Sequence, residues 1–261
     1  MDRINFIKAS ACGNDFLLIE AAGLAADALP QLTIRLCDRH EGVGADGVEW
    51  LLPEAECDAR LRLINADGSP AEISGNGTRC VAAHLVARTG RQRVAIRTDA
   101  GIKTCTLISR SGVSFEFDAA MGVPQVGEPF AVKLAARAVT GVPVSMGNPH
   151  FVVFVDEFAA GWQAEAAEIQ RQPVFPQGVN VEYVRVIGPN AISALFFERG
   201  AGETQSSGTG SSASAVASIH TGRVASPVAI HTPGGPQQVR WEGEVFLRGS
   251  ARLVCQGEFL L

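Results

Sequence analysis

No stretch of this chain approaches the roughly 18 consecutive apolar residues that a membrane-spanning helix needs. Nor is there a run of Lys or Arg. The 22 basic residues are outnumbered by 27 acidic ones, and a net charge of -5 argues against a nucleic-acid or polyanion partner. The six cysteines, at positions 12, 37, 57, 80, 105 and 255, include no CxxC and are too sparse for a disulfide scaffold. No two histidines have metal-ligand spacing, so no metal site is expected. The opening Met1-Asp2-Arg3-Ile4-Asn5-Phe6 goes straight into a strand-like pattern without the apolar core of a signal peptide. These absences predict a cytoplasmic protein with reduced thiols and neither a membrane nor a nucleic-acid partner.

What the chain does contain is a duplication. With 261 residues, 46% hydrophobic and 19% charged, it can bury a core in one large domain or two smaller ones. Ser74-Gly75-Asn76-Gly77 and Ser207-Gly208-Thr209-Gly210 lie 133 positions apart. Gly13-Asn14 matches Gly147-Asn148, and Asp46 before Val48-Glu49 matches Asn180 before Val181-Glu182, both at an offset of 134. Asn65 matches Glu198 at 133, and Thr98 and Gly101 match Thr232 and Gly235 at 134. A period this long is a pair of homologous halves rather than a solenoid. No long Pro/Ser linker separates them. They are expected at 1–116, with a returning C-terminal strand near 250–261, and at 117–249, with a ligand cleft between the two.

Each half alternates short β-rich runs with two helices. Residues 30–40 form the first, with Leu32, Leu36 and Cys37 on the apolar face and Thr33, Arg35, Asp38 and Arg39 on the rest. Residues 163–171 are its counterpart, stopped by Pro173. The second helices, 78–87 and 211–219, are rich in small residues, and a helix without a polar face is buried, wrapped by strands. Runs 60–64, 192–197, 113–117 and 245–247 read as strands.

The chemistry-bearing residues cluster at the repeat anchors. Serine is a favoured N-cap, but two serines at matched helix starts, each followed by glycine, also make paired anion sites from unobstructed backbone N–H groups. Such a pair suits proton removal from one face of a carbon and return on the other. Asn14, Asn65, Asn148, Asn180, Glu198 and Arg199 sit at strand ends or turns and offer amides, one carboxylate and one guanidinium for an amino-carboxylate head. Arg199 is the expected carboxylate clamp. His150 is placed to orient an active-site group, and is the one candidate base near either serine. His84 and His220 read as packing or surface residues, Cys80 as core rather than nucleophile, and Cys12 as inert although near the presumed cleft. Gly42-Val43-Gly44-Ala45-Asp46-Gly47 is a literal GxGxxG, but it leads into a strand, whereas a dinucleotide fingerprint opens a helix. Gly208 to Ala213 does open a helix but lacks the acidic residue about 20 positions on, so no nucleotide is expected.

The strings Asn65-Ala66-Asp67-Gly68-Ser69, Gly75-Asn76-Gly77-Thr78-Arg79-Cys80, Ser145-Met146-Gly147-Asn148-Pro149-His150 and Glu198-Arg199-Gly200-Ala201-Gly202-Glu203-Thr204 resemble diaminopimelate epimerase. The likeness runs from Lys8-Ala9 to the C-terminus. It implies an α/β fold of two pseudo-symmetric domains, each a barrel-like, mostly antiparallel sheet around a central helix, with the active site in the interdomain cleft. It implies a homodimeric isomerase without a cofactor that interconverts LL- and meso-diaminopimelate in lysine and peptidoglycan biosynthesis. By the same resemblance Asn14, Asn65, Asn148, Asn180 and Arg199 bind the distal part of the substrate, with Glu198 near its ammonium. Gly75, Asn76, Gly208 and Thr209 hold the reacting carboxylate.

The departure is at the two bases. The family pattern has cysteine before Gly75 and before Gly208, whereas this chain has Ser74 and Ser207. A thiol titrates near pH 8.5 and lower at a helix N-terminus, which suits proton transfer near neutrality, whereas a serine hydroxyl needs a neighbouring base. The expectation is weak or absent epimerisation, restored by cysteine at both positions. Three accounts of the serines stay open. They are a deliberate Cys→Ser replacement, a related isomerase, racemase or dehydratase acting on another amino acid, and a non-catalytic amino-acid binder.

Overall fold

The computed structural model describes residues 3–261, so Met1 and Asp2 of the expected N-terminal strand lie outside it. The chain divides into two compact units. One takes the residues up to Ala119 together with Gly249–Leu261, and the other is Ala120–Arg248.

The first unit contains β1 (Arg3–Ala11), β2 (Asn14–Glu20), α1 (Leu29–Cys37), β3 (Gly47–Leu52), β4 (Ala59–Asn65), β5 (Pro70–Ala71), α2 (Gly75–Thr89), β6 (Arg93–Thr98), β7 (Gly101–Ser111) and most of β8 (Ser114–Gly122). The second contains β9 (Gln125–Val126), β10 (Phe130–Lys133), β11 (Ala138–Ser145), β12 (Pro149–Phe154), α3 (Trp162–Gln170), β13 (Asn180–Gly188), β14 (Ala191–Glu198), β15 (Gly202–Thr204), α4 (Gly208–His220), β16 (Val228–Thr232) and β17 (Gly235–Glu242). β18 (Glu244–Leu260) starts in the second unit and finishes in the first.

Pairing follows the same rule in both units. β1–β2, β3–β4, β6–β7 and β7–β8 are antiparallel, while β2–β3 and β4–β6 are parallel. β8 then pairs with β18, and β18 with β1, which closes the first sheet into a barrel. In the second unit β11–β12, β13–β14, β16–β17 and β17–β18 are antiparallel, and β12–β13 and β14–β16 parallel. The duplication is therefore one of strand order and direction, and each unit is a barrel-like, mostly antiparallel sheet.

Each sheet wraps a helix. α2 packs against β1, β2, β6 and β7, and α4 against β9, β11 to β14, β16 and β17. Both helices start three residues earlier than the apolar pattern suggests, because the glycines after each serine are already helical. Ser212 and Ser218 of α4 tolerate burial because their hydroxyls donate to the Gly208 and Ser214 carbonyls one turn back, at 2.9 and 2.7 Å. α2 ends at Gly90, whose φ of 72° no side chain obstructs.

α1 packs on β3 and β4, where its Leu29, Leu36 and Cys37 form a core with Leu17, Ile19, Val48 and Trp50. Thr33 departs from the polar side assigned to it by periodicity. It is fully buried, donating to the Leu29 carbonyl at 2.8 Å and accepting from the Trp50 indole N–H at 3.0 Å. A threonine can face the core because its hydroxyl serves a helix carbonyl and an indole at once. Thr33→Val keeps the shape but strands the indole N–H, so unfolding in denaturant should show a loss of about 1–3 kcal/mol. An unchanged midpoint would mean the pair contributes nothing.

Candidate active site

Ser74 and Ser207 both precede a helix with extended backbone, at φ -120° and -132°. The Ser74 Oγ accepts from the Gly77 N–H at 3.0 Å, and the Ser207 Oγ from the Gly210 N–H at 3.1 Å. Both serines are thus N-caps. Capping uses a lone pair of the oxygen and leaves the hydroxyl hydrogen for another acceptor.

In the second unit that acceptor is Glu198. The Ser207 hydroxyl donates to its Oε2 at 2.9 Å, and Thr204 donates to its Oε1 at 2.7 Å. The β14–β15 hairpin brings these groups together, since pairing of Glu198 with Gly202 and of Phe196 with Thr204 turns the chain back toward α4. Burial pushes the Glu198 carboxyl above its ordinary range, against the pull of the Thr204 and Ser207 hydrogen bonds. His150, the base expected from sequence, sits one step further away. Its Nδ1 lies 2.6 Å from Glu182 Oε1 and its Nε2 2.9 Å from Asn148 Oδ1. Both ring nitrogens therefore face oxygens, which fixes the imidazole between Glu182 and Asn148. Burial raises the Glu182 pKa, with His150 opposing and the Glu198 charge adding to the rise.

The remaining residues of this unit are tied into the same cluster. Asn148 donates to Thr209 Oγ1 at 3.4 Å. Asn180 donates to the Pro149 carbonyl and accepts from the Arg199 backbone N–H, both at 2.9 Å. One Arg199 guanidinium nitrogen, Nη1, donates to the Gln177 carbonyl at 3.0 Å.

In the first unit the polar groups form a chain of amides. Arg79 donates to Asn76 Oδ1 at 2.6 Å, Asn76 to Asn14 Oδ1 at 2.7 Å, and Asn14 to Asp46 Oδ2 at 3.1 Å. The Asn14 turn is held by Cys12 and Gly13, both at positive φ. Next to it burial raises the Asp15 carboxyl, but hydrogen bonds and charge from Arg39 and Lys8 outweigh that and hold it below its ordinary value. Asn65 is apart from this chain, donating to Ser69 Oγ at 3.1 Å within its own Asp67-Gly68 turn. Cys80 is fully buried and burial pushes its thiol pKa up, as its reading as a core residue requires.

Two residues entered the sequence reading only as repeat anchors. Glu49 and Glu182 are fully buried at the third positions of matched strands, and each carboxyl lies against the glycine three residues after a serine. A Cβ on Gly77 would meet Glu49 Oε1 at 1.6 Å, and one on Gly210 would meet Glu182 Oε1 at 2.9 Å. The available signal was a lone acid at the same place in two apolar strand runs, Val48-Glu49-Trp50 and Val181-Glu182-Tyr183. Among the described residues no group of His, Cys, Asp or Glu could hold a metal ion, and no helix is long and apolar enough to cross a membrane.

The sequence profile of the family described as diaminopimelate epimerase matches residues 6–123 and 142–254. A diaminopimelate epimerase of Acaryochloris marina is 37% identical, covering 98% of this chain and 98% of its own. One of Pelotomaculum thermopropionicum is 36% identical, covering 98% and 99%. Among solved structures, a probable proline racemase from Agrobacterium radiobacter superposes with a TM-score of 0.76 at 17% identity, over 99% of this chain and 93% of the other. A phenazine biosynthesis protein of the PhzF family from Bacillus anthracis superposes at 0.74 and 15% identity over the whole of both chains. At such identities these two structures speak for the fold alone. The profile and the full-length relatives go further: the chain belongs to the diaminopimelate epimerase family.

Proposed function

We propose that this chain is a cofactor-independent epimerase that interconverts LL- and meso-diaminopimelate by proton transfer at the α-carbon, with Ser74 and Ser207 in the two base positions. The observation that carries the reading is the 2.9 Å bond from the Ser207 hydroxyl to the Glu198 carboxyl. A hydroxyl at the start of a buried helix, hydrogen-bonded to a carboxyl of raised pKa, has the base that serine needs for proton transfer. The helix N-terminus lends its N–H groups to the substrate's α-carboxylate and to the charge that develops there. Asn14, Asn65, Asn148, Asn180 and Arg199 are assigned to the distal amino-carboxylate, and Gly75, Asn76, Gly208 and Thr209 to the reacting one. The reading extends to lysine and peptidoglycan synthesis in the cytoplasm by a homodimer.

Loss of the α-proton into D2O tests the reaction directly. Slow exchange is expected from the chain as it stands, and faster exchange from the Ser74→Cys, Ser207→Cys double variant, because a thiol ionises far more readily than a hydroxyl. The pH dependence has a definite sign. Glu198 accepts the Ser207 proton only as a carboxylate, so exchange from the epimer that Ser207 deprotonates should rise with pH through the raised Glu198 pKa. Glu198→Gln should abolish that rise and slow the step roughly 10²- to 10⁴-fold. Binding without exchange in every variant would leave a non-catalytic amino-acid binder.

Calorimetric titration addresses the substrate. Diaminopimelate should bind more tightly than amino acids with one carboxylate, and Arg199→Ala should weaken it by about 10- to 100-fold, the worth of a charge-assisted hydrogen bond. Equal affinity for both ligand classes would favour another amino acid.

A further inference from the structure

The two halves differ most behind the serines. Ser207 has Glu198, and the Glu182 carboxyl beneath it has His150. By the repeat, Asn65 stands where Glu198 does and Phe16 where His150 does. Glu49 is left alone: it is fully buried, and neither carboxyl oxygen has a hydrogen-bond partner among the described residues. Its cross-strand neighbours are Leu18 on β2 and Leu63 on β4, which carry no charge. From α2 it faces Gly77 and the Cys80 thiol. The other charged group at that end of the helix, Arg79, is turned to Asn76, Cys12 and the Ser250 carbonyl.

An orphaned carboxyl in such a place costs stability and has no structural partner to justify it. What it reaches is the Ser74 turn. The point that a Cβ of residue 77 would occupy lies 1.6 Å from Glu49 Oε1 and 3.3 Å from Ser74 Cβ, so the missing side chain of Gly77 is the opening between them. In the second half Glu182 Oε1 and Ser207 Cβ lie 2.9 and 3.0 Å from the equivalent point on Gly210.

We propose that Glu49 is the proton-relay partner of Ser74, a positioning residue that acts through the serine hydroxyl. The proposal rests on the epimerase reading above. As the substrate's Cα–H bond breaks, its proton passes to Ser74 Oγ and the hydroxyl's own proton passes to the Glu49 carboxylate. The electron pair stays on the α-carbon and spreads into the α-carboxylate. At the second base position the Ser207 hydroxyl gives its proton to the carbon and is refilled by the Glu198 carboxylic acid. Glu49 ends protonated and Glu198 ionised, and the reverse reaction restores both. Burial raises the Glu49 carboxyl to about 8, where acid and base forms coexist near neutral pH.

The test uses two readouts. In the Ser74→Cys variant, alkylation of the new thiol against pH, read by peptide mass at position 74, should report a second ionisation. Adding Glu49→Gln should remove that second ionisation and lower the thiol midpoint, because a neighbouring anion has gone. Superimposable profiles would overturn the proposal. In the unaltered serine background, Glu49→Gln should slow α-proton loss at least 100-fold from the epimer that Ser74 deprotonates and much less from the other. An equal slowing of both would indicate a merely structural residue and overturn it. Glu49→Leu should show the same epimer-selective loss yet melt at a higher temperature. The melting advantage should widen from about pH 4.5 to about 8, over which the unfolded carboxyl ionises while the buried one keeps its proton. If neither the unaltered chain nor the Ser74→Cys, Ser207→Cys double variant exchanges either epimer, the epimerase reading fails, and the alkylation profiles still decide whether Glu49 and residue 74 share a proton.

Discussion

A serine oxygen capping the first turn of a buried helix is the contact on which the rest of this structure depends. The first N–H groups of a helix have no partner within it, and inside a barrel water does not supply one. Ser74 and Ser207 each satisfy one such group and hold the others in a fixed array. The residue that receives the cap must be glycine for a reason beyond helix geometry. Glu49 occupies the space at Gly77, and Phe196 and Glu182 occupy it at Gly210. The cap, the glycine and the buried carboxyl therefore form one unit, in which replacing any member displaces the others.

That unit occurs twice on one scaffold and is electrostatically different each time. In the second half the carboxyls are engaged: Glu198 by two hydroxyls, Glu182 by an imidazole. Hydrogen bonds favour their ionised forms while burial favours the neutral ones, and the outcome is a rise in both. In the first half nothing opposes burial at Glu49. There the amides of Asn76 and Asn14 run from the Arg79 guanidinium to the Asp46 carboxylate without touching Glu49. Duplication has thus kept the backbone and changed the partners of the buried carboxyls.

The architecture was legible because it is written in offsets. Glycines, serines and apolar runs recur at 133 or 134 positions, and backbone geometry follows from residue types that recur together. The helices were legible from their small residues, though their first turns were missed because glycine is a poor helix former until a cap and a packed carboxyl hold it. Side-chain pairings were harder to read. Glu198 reaches Ser207 only because a hairpin folds Thr204 back beside it, and a pairing set by turn geometry leaves no periodic trace. Asn65 looked like its neighbours but is captured by its own turn. Thr33 was assigned to solvent by periodicity because the pattern counts a hydroxyl as polar, whereas here the hydroxyl is consumed inside the core.

A hydroxyl in place of the thiol that the family resemblance implies would change where acid–base control lies. A thiol near a helix N-terminus carries a usable pKa in the transferring atom itself. A serine hydroxyl carries none near neutrality, so it can move a proton only by passing one on in the same event. The pKa that governs the step then belongs to the group behind the serine. A carboxyl in water would be too acidic to return the proton, and burial corrects this by penalising its charged form. Glu198 and Glu49 are both shifted in that direction, one partly restrained by hydrogen bonds and the other not. On the proposed reading, what suits a hydroxyl to proton transfer is the dryness of the carboxyl beneath it.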